Sequence, residues 1–102
     1  MIIYNVTVNV ENDIHDEWLH WMKTVHIPEV METACFTHHY FCRIVSRQPD
    51  ETGHTYAIQY HCKSQEAFDT YQRDFASDLQ AKHIGKYEGK FVAFRTLLEK
   101  VE

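Results

Sequence analysis

Cys35-Phe36-Thr37-His38-His39-Tyr40-Phe41-Cys42-Arg43-Ile44-Val45-Ser46 leads into Gln48-Pro49-Asp50-Glu51-Thr52-Gly53, and then into His54-Thr55-Tyr56-Ala57-Ile58-Gln59-Tyr60-His61-Cys62. The outer segments are rich in aromatic and β-branched residues, and the middle one has turn chemistry. The stretch therefore reads as a β-hairpin, with Tyr56, Ile58, Tyr60 and Cys62 in phase on one side of the returning strand. A turn near Asp50 predicts His39 opposite His61, Tyr40 opposite Tyr60 and Cys42 opposite Ile58.

One helix and one strand flank this hairpin on each side. Upstream, Ile2 to Val10 alternates with period two: Tyr4, Val6, Val8 and Val10 share one face, and Ile3, Asn5, Thr7 and Asn9 the other. Asn12 or Asp13 is placed to cap a helix whose apolar positions are Ile14, Trp18, Trp21, Met22 and Val25. Pro28 predicts a kink or break near His26, because it removes a donor and disfavours helical geometry at Ile27. A second short helical piece can start at Pro28. Downstream, Ser64 caps a helix carrying Phe68, Tyr71, Phe75 and Leu79 on one side, which ends before Gly85 or Gly89. Phe91 to Leu98 is the last strand.

The order βαββαβ is the ferredoxin-like split unit, an α+β class. Right-handed crossovers place both helices on one face of a four-stranded antiparallel sheet. With 102 residues the chain makes one domain, residues 1–102. Its 44% hydrophobic content is too high for a disordered chain. The net charge of −5 argues against a nucleic-acid partner, which would need phosphate-neutralising Lys and Arg. The sequence shows no basic leader and no apolar run long enough for a membrane. Three cysteines without a C-x-x-C spacing point to a reduced, cytoplasmic compartment.

The second sheet face has no cover within the chain. On the predicted register it carries Asn5, Thr7, His39, Phe41 and His61, joined by Phe91, Ala93, Arg95 and Leu97 of the last strand, whose other phase, Val92, Phe94, Thr96 and Leu98, is placed under the helices. Such a mixed face suits a homodimer interface with paired polar groups; a polar ligand site is the other reading.

Eight histidines invite a metal, but no H-E-x-x-H occurs, and His15, His20 and His26 are not spaced to stack on a helix. The best chelate, His39 with His61, supplies two ligands, so no metal is predicted. Haem needs only one histidine and stays open. No nucleophile motif or phosphate-cradling loop is present. Acid–base chemistry has better candidates. His26 precedes the expected break and His83 lies near the end of the second helix, where exposed carbonyls favour imidazolium. Helix-end capping is the plainer role for both. Trp18, Trp21 and Tyr60 can wall a flat ligand between the first helix and the sheet, or simply pack.

Three blocks carry a resemblance: Met1-Ile2-Ile3-Tyr4-Asn5-Val6-Thr7; Trp18-Leu19-His20-Trp21-Met22 with His26-Ile27-Pro28-Glu29-Val30-Met31; and Tyr87-Glu88-Gly89-Lys90-Phe91-Val92-Ala93-Phe94-Arg95-Thr96-Leu97-Leu98. The chain resembles an uncharacterised bacterial family, the domain of unknown function four-two-eight-six. More distantly, it is similar to the dimeric α/β-barrel superfamily. The resemblance implies a ferredoxin-like dimer with any pocket between helices and sheet, and no established activity. It leads to two expectations. One is a homodimer binding a small molecule beside Trp18, Trp21, Tyr60 and His83, with His26 as proton carrier in acid–base or cofactor-free oxygen chemistry. The other is a non-enzymatic binding, regulatory or stress-related dimer.

Overall fold

In the computed structural model, which describes residues 1–102, strand β1 spans Ile2–Val10, β2 His38–Arg43, β3 His54–Cys62 and β4 Phe91–Glu99. Helices α1 (His15–Trp21) and α2 (Ile27–Glu32) follow β1, while α3 (Gln65–Asp74) and α4 (Ala76–Tyr87) follow β3. The sheet is wholly antiparallel in the order β2-β3-β1-β4. This is the ferredoxin-like α+β arrangement, and β1 and β3 have the bounds the alternation predicts.

The helices cover the face that carries Tyr4, Val8, Val10, Tyr56, Ile58 and Tyr60, all of which are buried. Tyr4 anchors an aromatic core with Phe36, Tyr60, Phe68 and Tyr71, its ring centroid 5.1–6.2 Å from theirs. Alternation puts Tyr4 and Tyr60 under the helices, Phe68 and Tyr71 meet them from α3, and transfer of their apolar area out of water holds the layers together.

Near His26 the α-helix is interrupted, but the chain stays helical. Residues Met22–His26 form a wide π-turn between α1 and α2, with the N–H of Ile27 donating to the carbonyl of Met22. The extra residue in the turn absorbs the donor that Pro28 lacks, and the chain stays helical. The entry to α1 also departs from expectation. Asn12–Ile14 is a 3₁₀ turn, and no side chain caps it. Ser64 does cap α3, its Oγ accepting from the N–H of Ala67 at 3.2 Å. The predicted single second helix is two, divided at Phe75 (φ −129°), and the chain reverses at Gly89 (φ +77°).

Two face assignments need correction. The hairpin pairs His38 with His61, His39 with Tyr60 and Phe41 with Ile58, one residue away from the predicted register. A one-residue slip turns every β2 side chain over. His39 and Phe41 therefore lie on the helix side, where Phe41 packs 6.0 Å from Trp18 and 5.3 Å from Tyr56. Tyr40 instead lies on the open face, 54% exposed. The long connection between β2 and β3 does not dictate a register, and aromatic residues occupy both phases of β2. Strand β4 is inverted as well. Phe91, Ala93 and Arg95 pair with Val10, Val8 and Val6, so they share the helix side. Val92, Phe94, Thr96 and Leu98 face outward with Asn5, Thr7 and His61. Both phases of β4 are apolar, so alternation could not choose between them.

Candidate functional site

α1, the π-turn, α4 and β4 bring five aromatic side chains from distant parts of the chain into one cluster. Trp21 stacks on His26 with centroids 4.8 Å apart, and His26 lies 5.2 Å from His83. His83 stacks flat on Phe91 at 4.0 Å. The indole N–H of Trp18 donates to Nε2 of His83 at 3.0 Å. An accepting Nε2 leaves the neutral ring's proton on Nδ1.

Beside this cluster lies a cavity between the helical layer and the sheet, with a volume of about 30 Å³. That is room for roughly two waters. Its walls include Tyr4, Tyr60, Tyr71, His26, His83 and Arg95. Nδ1 of His26 is buried and has no hydrogen-bond partner. Arg95 belongs to an exposed part of β4, so the guanidinium sits where the cavity meets solvent.

Electrostatics hold both histidines neutral. Burial pushes His26 down to about 4; Glu29 pulls it up, while Lys82 and Arg95 push it further down. Burial also takes His83 down to about 3, helped by His26 and Arg95. This reverses the expected imidazolium character. Neither ring caps a helix end: His26 runs straight from the π-turn into α2, and His83 lies within α4. Desolvation wins because both rings are buried. Burial likewise raises the Tyr4, Tyr60 and Tyr71 hydroxyls, which stay protonated.

A second polar network lies at the far end of β3. The Tyr56 hydroxyl bonds Nε2 of His15 at 2.6 Å and accepts from Arg43 at 2.8 Å. His15 contacts Asp16 at 3.1 Å and stacks on His54 at 3.8 Å. None of these residues lines the cavity.

The structure thus brings Trp18, Trp21, His26 and His83 together, with Tyr60 in the cavity wall. It separates the residues expected at an interface. Asn5, Thr7 and His61 are on the open face; His39, Phe41, Phe91 and Arg95 are on the helix side. Sequence reasoning therefore missed Arg95 as a cavity residue and Phe91 as the ring stacked on His83. The available signal was the pairing of β4 with β1, which the double-sided apolarity of β4 hides. The cross-strand histidine pair is His38 with His61, stacked at 4.2 Å, rather than His39 with His61. No three His, Cys, Asp or Glu side chains converge as a metal site. The three cysteines are unpaired.

The fold and the covered cavity define a ferredoxin-like α+β protein. The chain belongs to the family described as Domain of unknown function (DUF4286), which it matches over residues 1–101. No curated protein matches the sequence. Solved structures share its fold at low identity. An ethyl tert-butyl ether d (ethd) family protein from Bacillus halodurans superposes with a TM-score of 0.73 at 14% identity, over 99% of this chain and 100% of that one. A dimeric ferredoxin-like protein from an uncultured marine organism gives 0.73 at 10% identity, over 100% and 96%. SnoaB, a cofactor-independent oxygenase from Streptomyces nogalater, gives 0.64 at 11% identity, over 99% and 93%.

Proposed function

We propose that the protein is a cytoplasmic homodimer that binds a compact small molecule in the cavity, where His26 takes a proton from it. The observation that carries this reading is that His26, a cavity-wall residue, has a buried Nδ1 without a hydrogen-bond partner. An unsatisfied buried polar atom costs about 1–3 kcal/mol, so it calls for a partner. A neutral imidazole with a free lone pair is the form a general base takes. With its pKa near 4, His26 is a weak base in the empty site. It gains strength once negative charge develops on the ligand beside it. Removing a proton from a carbon or oxygen acid leaves an electron-rich anion, the species that cofactor-free oxygen chemistry would use. The fold shared with a cofactor-independent oxygenase is compatible with that second step.

Size limits the ligand. At about 30 Å³ the cavity holds neither a porphyrin nor a fused aromatic as it stands. The test is a thermal-shift screen of small carbonyl and carboxylic compounds. Hits should move the ring resonances of His26 and be lost in His26→Phe, which fills the space beside Nδ1. Hits that leave those resonances unmoved would remove His26 from the site.

The small cavity also favours a second reading, a non-enzymatic dimeric binding or regulatory module in which the histidines chiefly pack. Turnover of any cavity ligand that His26→Gln abolishes separates the two.

The dimer is supported by the open sheet face. Tyr40, Val92, Phe94 and Leu98 are exposed there, among Asn5, Thr7 and His61. An apolar face rimmed by hydrogen-bonding side chains matches a self-complementary interface. The three unpaired cysteines fit a reduced compartment.

A further inference from the structure

The polarity of the cavity wall points to the charge of its ligand. Arg95 lines the cavity from β4, yet none of the chain's ion pairs uses it. Glu29, the carboxylate nearest in effect to His26, is held by Lys82 at 2.7 Å. The remaining polar walls are the phenols of Tyr4, Tyr60 and Tyr71, the Gln80 amide and the two histidines. None of these supplies a negative charge at neutral pH.

The cavity is therefore a cationic, donor-bearing pocket without an internal counter-ion. A guanidinium recognises carboxylates and similar oxyanions through paired N–H donors. Unlike an isolated surface arginine, Arg95 shares its cavity with His26, a residue whose Nδ1 is buried and unsatisfied. We infer that the cavity binds a compact oxyanion, a carboxylate of one or two carbons, with Arg95 as its counter-ion and His26 against its other end. This rests on the reading of the cavity as a ligand site and adds the class of ligand. The volume sets the size limit: about 30 Å³, room for roughly two waters, takes formate nearly as it stands and acetate only with slight movement of the lining side chains.

The probes are acetate and its neutral counterpart acetamide, each titrated into the full chain at pH 7 and constant ionic strength held with chloride. The readout is the ring resonances of His26 and His83. Acetate should shift them saturably and acetamide at least tenfold more weakly. Arg95→Gln should weaken acetate at least tenfold, with Arg95→Lys recovering part of the loss. Since Arg95 stands at an exposed position, both variants should keep the wild-type melting temperature within a few degrees. Equal binding of acetate and acetamide, or unchanged acetate binding in Arg95→Gln, overturns the oxyanion and leaves the cavity as a ligand site. Silence of both probes at the two histidines overturns the oxyanion too, and removes support from the ligand site itself.

Discussion

His26 and His83 set the behaviour of the molecule toward acid. Their folded values, about 4 and about 3, lie below the ordinary 6.5. Between those limits the unfolded chain binds protons that the folded chain refuses, so stability falls as the pH drops from about 6.5. His26 alone accounts for a loss of about 3 kcal/mol by pH 4. Urea midpoints at pH 7 and pH 4.5 should show the fall, and the double variant His26→Gln, His83→Gln should flatten it. A wild-type midpoint that does not change over this range contradicts the burial of both rings. Gly53 is a second sensitive position. Its φ is +74°, and an added Cβ would come within 2.5 Å of the Val10 carbonyl oxygen. That contact is backbone and cannot swing aside, so Gly53→Ala should cost roughly 1–3 kcal/mol in denaturant unfolding.

Among the elements, the π-turn matters most to the site. A helix forced through Pro28 needs somewhere to put the missing hydrogen bond. The wide turn at Met22–His26 supplies it and leaves both Met22 and His26 buried. Pro28 was legible as a disturbance, but whether the chain would break or widen there depended on what packed against it. Trp21 stacking on His26 and α4 lying beside both favour continued helix. The cap on α3 is simpler. Ser64 was readable as a cap because its hydroxyl needs only local backbone, and Ser64→Ala should lower stability by about 1 kcal/mol in thermal or urea unfolding.

For the whole molecule, the open sheet face is the feature that needs a partner. Phe94 is 68% exposed at the centre of β4, across from Thr7. Phe94→Glu should convert the proposed dimer to monomers at micromolar concentration in light scattering, while far-ultraviolet circular dichroism stays unchanged. A wild-type chain that is monomeric at that concentration contradicts the dimer. Charge should act on the same surface. His61 is pushed below its ordinary value by burial, by His38 and by Lys100. Tyr40 packs edge-on against it. If a partner buries this pair further, protonation becomes still harder, and a sedimentation series from pH 7 to pH 5 should show the dimer weakening.

Residue order alone determined the sequence of elements, the faces of β1 and β3, the Ser64 cap and the family. Each rests on local periodicity, on one side chain bonding nearby backbone, or on blocks of identical residue type. Order also marked Trp18, Trp21, His26 and His83 as worth watching. It could not orient β2 and β4, because both phases of those strands carry aromatic or β-branched residues and period-two alternation then has no preferred sign. Long-range pairing settled them: β4 takes its register from β1, and β2 from β3. That choice moved Arg95 from the supposed interface to the cavity, and Phe91 to the flat face of His83. It also made His26 and His83 neutral instead of charged, because desolvation depends on everything packed around a ring and not on its place in the chain.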